Sequence, residues 1–218
     1  VGIRAQPGGL IWAGENRGFT IEPMHRGYVF SAPVSLFAVE DDVVRRVAFD
    51  RGKFDYGRVT PPPAGLDLQF SGFRVATGLE RPFEVATFQG ATFFRSLARG
   101  QNFGALARAL ILRPGETRGE EIPFFRAFWI ERPSPASGVL IIHGLLDSES
   151  VAGAVRMTLR PGDMTFIDVE MTLFARANLD HVGFGCTMGT FFAGPQSRRT
   201  FDDVRPAVHE LSGVQMQS

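Results

Sequence analysis

Cysteine occurs once in this chain, at Cys186. No disulfide can form within it, and the usual clue to an oxidising compartment is missing. Set between Gly185 and Thr187, the thiol reads as buried and inert rather than nucleophilic. Lysine also occurs once, at Lys53; the other basic residues are arginines, and 23 basic residues balance 23 acidic ones. A chain with no net charge gives no electrostatic case for nucleic acid or for an anionic membrane. No apolar run reaches the roughly 20 residues a membrane helix needs. The chain opens on Val1 with no basic–apolar leader, which reads as a processed or cropped start with any export signal removed.

Other chemistries drop out for want of residues. The four histidines, His25, His143, His181 and His209, fall in unrelated segments without metal-ligand spacing. Gly183-Phe184-Gly185 has no lysine and no following helix pattern, so it is not a phosphate loop. No serine sits in a nucleophile elbow. Neither a metal nor a cofactor is expected, and no βαβ alternation points to a nucleotide-binding sheet.

What the chain does have is phenylalanine, 21 of them against two tyrosines and two tryptophans, in 218 residues that are 44% hydrophobic. That supplies a core for one large β-sandwich. Almost every segment carries a strand pattern. Val34–Val39 and Val43–Phe49 flank Glu40-Asp41-Asp42, a hairpin with an acidic tip. Leu66–Phe70 alternates, and Phe73–Thr77 continues it after a bulge at Ser71-Gly72. Phe54-Asp55-Tyr56-Gly57 reads as an anchor within the loop from Asp50 to Gly65. Glu84–Arg99 fits a strand pair or a strand with a helical turn. Phe103–Leu112 is read as a strand. Val139–Ser148 reads as a central strand buried on both faces, with His143 a hydrogen-bonded core histidine. Val155–Arg160 and Thr165–Phe174 alternate, the latter with Ile167, Val169, Met171 and Leu173 on its apolar face.

Gly119–Pro133 concentrates acids, arginines, three phenylalanines and Trp129. Phe124, Arg126, Phe128 and Ile130 alternate with Phe125, Ala127, Trp129 and Glu131. Acids beside exposed aromatic rings suit a sugar: carboxylates accept from hydroxyls and rings stack on C–H faces. The same pattern fits a core strand behind a charged turn. Hydrolysis of a glycosidic bond needs an acid and a base placed across it. Glu120, Glu121, Asp147, Asp202, Asp203 and Glu210 are the candidates, and spacing alone does not say which of them meet.

Several blocks carry a resemblance. They are Trp12-Ala13-Gly14-Glu15, His25-Arg26-Gly27-Tyr28, Phe54–Gly57, Ser71-Gly72-Phe73-Arg74 and Gly90-Ala91-Thr92-Phe93-Phe94-Arg95. Gly119–Pro133, Leu145-Leu146-Asp147-Ser148, Arg160-Pro161-Gly162 and Arg205-Pro206-Ala207-Val208-His209 complete the set. In this order they resemble the periplasmic glucan biosynthesis protein G and D family (OpgG/OpgD, also called MdoG), along nearly the whole chain. The resemblance implies an all-β protein: a large antiparallel β-sandwich of the galactose-mutarotase-like supersandwich type, incomplete relative to the family. Residues 1–218 would be one sandwich domain, truncated at both ends and without the family's immunoglobulin-like C-terminal domain, so that the chain is either a fragment or a shortened member.

The implied setting is the periplasm. The implied ligand is a β-1,2-linked glucan, bound or hydrolysed with inversion, and contact with the membrane glucan synthase is a further implied partnership. Oligomeric state is not implied. By resemblance Glu210 takes the catalytic position of a family aspartate. Arg95, Arg108, Glu120, Phe125, Trp129, Asp147 and His209 become substrate-binding candidates, with Phe125 and Trp129 as platforms and the arginines orienting carboxylates.

The chain departs from the family where His209 is followed by Glu210-Leu211-Ser212-Gly213 instead of Asp-Ser-Asp-Gly. Phe103 and Leu106 replace a tyrosine and a serine, losing two hydroxyls. These departures favour the alternative, a non-catalytic carbohydrate-binding module or an inactive fragment.

Overall fold

The computed structural model describes residues 3–27, 31–63, 66, 68–78, 82–101, 106–134, 138–189, 191–194, 204–210 and 215. Phe103, Asp202, Asp203 and Leu211–Gly213 lie outside them. The elements in order are β1 (Arg4–Ala5), β2 (Trp12–Gly14), a helical turn (Glu15–Gly18), β3 (Phe19–His25), β4 (Ser35–Glu40), β5 (Val43–Arg46), β6 (Phe54–Asp55), β7 (Phe70–Thr77), β8 (Phe83–Gln89), β9 (Phe93–Ser96) and β10 (Leu106–Leu112). Then come β11 (Phe124–Glu131), β12 (Leu140–Asp147), β13 (Val151–Arg160), β14 (Phe166–Ala175), β15 (Val182–Met188), β16 (Phe191–Ala193) and β17 (Val208–His209).

Two large sheets make a sandwich. One has seven strands in the order β15-β10-β9-β8-β7-β3-β2; the other has six, β14-β13-β12-β11-β4-β5. The expected all-β sandwich is present. All neighbours in the two sheets run antiparallel except β4 and β11, which run parallel. The sheets meet through phenylalanine. Phe128 of β11 sets its ring edge-on against Phe73 of β7 at 5.2 Å and lies 6.3 Å from Phe88 of β8. Phe125 packs on Phe128 at 4.5 Å, and all four rings are fully buried. Each such ring contributes about 1.5–3 kcal/mol by leaving water. Phe125 N–H also donates to Gly90 O at 2.9 Å, a backbone link from one sheet to the turn after β8.

The hairpin with the acidic tip forms as expected. Asp41 and Asp42 take φ of 48° and 61°, the left-handed pair a two-residue hairpin turn requires. The bulge also falls where expected: Met24 pairs with Gly72 and His25 with Phe70, leaving Ser71 extra. Phe54 is buried against Phe49 and Phe70, anchoring its loop. Glu84–Arg99 resolves into the pair β8–β9.

Four readings change. Leu66, Leu68 and Gln69 are not in a strand; β7 begins at Phe70. The strict alternation in β11 breaks between Phe125 and Ala127, where the register with β12 shifts. As a result Phe125, Phe128 and Ile130 all turn inward, Ala127 is covered on the opposite face beside Leu145, and Phe124 and Arg126 are exposed. β12 alternates between buried and half-exposed residues, so only one of its faces is buried. His143 is on the open face, its side chain 40% exposed, and its imidazole is hydrogen-bonded to Glu131 at 2.7 Å. Cys186 is half-buried in β15.

Gly144 in β12 sits under the aromatic cluster. A Cβ there would come within 2.6 Å of the Phe125 ring. Gly144→Ala is therefore expected to overpack the core and cost about 2 kcal/mol. A thermal melt should show a fall of about 4–8 °C in Tm; an unchanged Tm would show that the ring has room to move.

Candidate functional site

The outer face of the seven-stranded sheet carries a row of paired residues. By register, Glu22 of β3 lies beside Arg74 of β7, Arg74 beside Thr87 of β8, Thr87 beside Arg95 of β9, and Arg95 beside Leu106 of β10. The charges in this row are tied together. Arg4 makes two bonds to Glu22, at 2.7 and 2.6 Å. Arg74 lies 3.6 Å from Glu22 and 3.8 Å from Glu84. Arg95 reaches Glu84 at 2.5 Å, and the Thr87 hydroxyl donates to the same carboxylate at 2.6 Å. Glu22 is buried, and its hydrogen bond is the leading reason the Arg4 pKa is raised. Arg95 Nε is buried and, among the described residues, has no partner.

A groove runs over this row in two compartments. The smaller, about 190 Å³, is lined by Met24, Arg74, Thr87, Gln89, Phe93, Phe94, Arg95 and Leu106. The larger, about 300 Å³, is lined by Ser31, Ala32, Ser71, Gln89, Gly90, Ala91, Phe93 and Phe124. Gln89 and Phe93 belong to both. Arg108 of β10 lies opposite Phe93 and places its guanidinium over that ring at 4.1 Å. Its Nη1 donates to Ala91 O at 2.7 Å, fastening the turn between β8 and β9. Burial lowers the Arg108 pKa, and the more distant Glu120 opposes that shift. Within the turn Thr92 is fully buried at φ 67°, with no partner for its hydroxyl among the described residues. A β-branched residue is rare in that conformation.

The structure sorts the residues nominated from sequence. Arg95 lines the groove and Arg108 packs on its Phe93 wall. Asp147 pairs in register with Phe124, a groove residue, and holds Arg126 at 3.6 Å and Arg176 at 2.8 Å. Glu120 is exposed and accepts from Gly115 N–H at 2.8 Å, closing its own turn.

Phe125 is a correction. Its ring is 0% exposed inside the sandwich, so it has no face to offer as a sugar platform. Trp129 sits in the six-stranded sheet, away from the groove, with one indole face stacked on Phe37 at 5.1 Å. His209 is in the separate ribbon β16–β17, its ring 5.8 Å from Phe191, and Glu210 follows it half-buried. Neither is among the described groove-lining residues. A roomier cavity, about 580 Å³, is rimmed by Glu15, Glu40, Asp41, Asp42 and Glu131. Arg132 bridges Glu15 and Glu40 there.

Arg74, Gln89 and Phe93 were not nominated. The available signal was block membership: Ser71–Arg74 and Gly90–Arg95 lie on strands that flank β8, and Gln89 directly precedes the second block.

The model of the family described as "Periplasmic glucan biosynthesis protein, MdoG" matches residues 1–218. The chain belongs to the MdoG family. Curated relatives named "Glucans biosynthesis protein G" include one from Rhodopseudomonas palustris and one from Bradyrhizobium diazoefficiens, each 40% identical over 215 residues. These alignments take in 97% of this chain and 43% of each relative. A relative from a Shewanella strain is 40% identical over 218 residues, 98% of this chain and 40% of its own length. The chain thus spans less than half the length of these relatives.

The loop before β11 holds a carboxylate whose titration can be followed. Burial works to raise the Glu121 pKa. Hydrogen bonds from Ser148 and from the backbone and hydroxyl of Ser150, with Arg113 at 3.5 Å, outweigh it and hold the carboxyl below its ordinary range. A depressed carboxylate stabilises the fold fully above its unfolded pKa of about 4.3, and that contribution is lost as pH falls through the lower folded value. Glu121→Gln should cost about 1–3 kcal/mol at neutral pH. It should also flatten the loss of stability below about pH 4, as read by denaturant unfolding across pH. Parallel pH profiles for wild type and variant would remove the assignment.

Proposed function

We propose that this chain is the glucan-binding part of a periplasmic glucan biosynthesis protein, and that the groove on the seven-stranded sheet holds the glucan. The observation that carries the reading is that two family blocks, Ser71–Arg74 and Gly90–Arg95, supply walls of one groove. Phe93, Phe94, Leu106 and Met24 give it apolar surface for the C–H faces of sugar rings, and Gln89, Thr87 and the arginines surround that surface with polar groups. Each compartment is at or below the lower end of the ~300–1,000 Å³ of ordinary ligand pockets, a size that suits single sugar units in sequence. A β-1,2-linked glucan in the periplasm is the ligand and setting that the family's name and the resemblance favour.

Binding is favoured over hydrolysis. An inverting glycosidase needs two carboxylates about 6.5–9.5 Å apart with room for a water. Three carboxylates beside the groove are held by arginines: Glu22, Glu84 and Asp147. Glu210 directly follows β17, which is in a different sheet from the groove.

Calorimetric titration with linear β-1,2-glucan tests the reading. Wild type should bind without releasing reducing ends. Leu106→Trp, which fills the smaller compartment from a half-buried position, should weaken binding at least tenfold while the protein still melts cooperatively. Trp129→Ala, on the other sheet, should change affinity less than about twofold. Absence of binding by wild type, or unchanged binding by Leu106→Trp, would overturn the groove assignment; release of reducing ends would overturn the preference for binding alone.

A further inference from the structure

The groove's hydrogen-bonding capacity is unevenly committed. Arg74 and Arg95 are held by Glu22 and Glu84. The Thr87 hydroxyl donates to Glu84, and the Ser71 hydroxyl donates to His25 O at 3.2 Å. Ser31 stands at the exposed rim. Gln89 differs from all of these. It is half-buried, it lines both compartments, and among the described residues its side-chain amide has no hydrogen-bond partner. Its backbone is fixed by pairing with Gly72, and the next residue donates from Gly90 N to Ser71 O at 3.0 Å. The base of the side chain is therefore rigid while its amide is unspent.

A primary amide offers two N–H donors and a carbonyl acceptor from one position. A hydroxyl is both donor and acceptor, so the two are matched, and neither carries charge. Phe93 lines the same two compartments, with Arg108 over one face of its ring. The junction thus offers an apolar ring beside a free amide. The arginines nearby are already paired with carboxylates and are not free charges for an anionic ligand.

Resting on the groove as the glucan site, we propose that Gln89 is the residue that determines specificity there. Its amide reads the hydroxyls of an uncharged sugar at the junction of the two compartments. Arg74 and Arg95 act as positioning residues: they stiffen the row on which the groove is built. Selectivity follows from the cost of leaving a buried polar group unpaired when the wrong hydroxyl pattern enters.

The test titrates linear β-1,2-glucan and, separately, linear β-1,3- and β-1,4-linked glucans into wild type, Gln89→Leu, Gln89→Glu and Leu106→Trp, with a thermal melt of each protein. Gln89→Leu should melt with wild type and lose on the order of tenfold in affinity for the preferred glucan. Its preference among the three linkages should shrink by a similar factor. Gln89→Glu, which retains acceptors but loses the donors, should fall between the two. Wild-type affinity should change less than about twofold between low and high salt, as expected for an uncharged ligand.

Should Leu106→Trp lose binding while Gln89→Leu keeps both affinity and linkage preference, the groove stands and the role of Gln89 is refuted. Should wild type bind while Leu106→Trp binds equally well, the groove reading itself fails and takes Gln89 with it. A steep loss of binding with salt would overturn the uncharged-ligand assignment and make the arginines the contacts.

Discussion

Phe128 is the contact on which the arrangement of this protein turns. Its ring meets Phe73 and Phe88 from the facing sheet and Phe125 from its own strand. β7 and β8 put those inward-facing rings directly beside outward-facing Arg74, Thr87 and Gln89. Because side chains alternate along a strand, fixing the inner face fixes the outer one. A slip of one residue in β8 would send Phe88 into the groove and Gln89 into the core. The aromatic cluster therefore sets the register of the groove from the opposite face of the sheet.

The outer row is a second constraint, and its chemistry is different. Glu22, Arg74, Glu84 and Arg95 span four strands with alternating charge. Single exposed ion pairs contribute little, but Glu22 is buried and is shared between Arg4 and Arg74. Removing one member would strand another charge in poor solvent, a larger penalty than the pair's own worth. The row holds the sheet's outer surface in one geometry, and it does so by using up the charges that a ligand would otherwise meet.

Strand patterns, the acidic hairpin and the bulge at Ser71 were legible because each rests on a local rule: period two, a positive-φ turn, or a small-residue interruption. The inward turn of Phe125 was not. Phe124 and Phe125 are both apolar, as are Phe128 and Trp129, so alternation reads equally well in either phase and the register shift at Arg126 leaves no mark in composition. His143 misled for a related reason: apolar neighbours on both sides do not distinguish a strand buried on two faces from one whose open face is lined by Ile141 and Leu145. Arg95 was nominated from a matched block, and Arg108 from the resemblance that runs through Phe103 and Leu106. Trp129 was also in a matched block, but no block says which of two sheets its strand joins. Gln89 had no signal beyond its place directly before the Gly90–Arg95 block; what sets it apart is that its neighbours are already bonded.

This last point bears on chemistry as well as recognition. A carboxylate that already accepts from arginines has fewer lone pairs left for a substrate. Glu84 carries Arg95 and Thr87 on one oxygen and Arg74 near the other, and Glu22 has two arginines. Turning either carboxylate toward a ligand would mean breaking the ion pairs that tie the row together. In the proposed reading, an acid and a base for glucan cleavage come from outside this row, where Glu22 and Glu84 are already bonded to arginines.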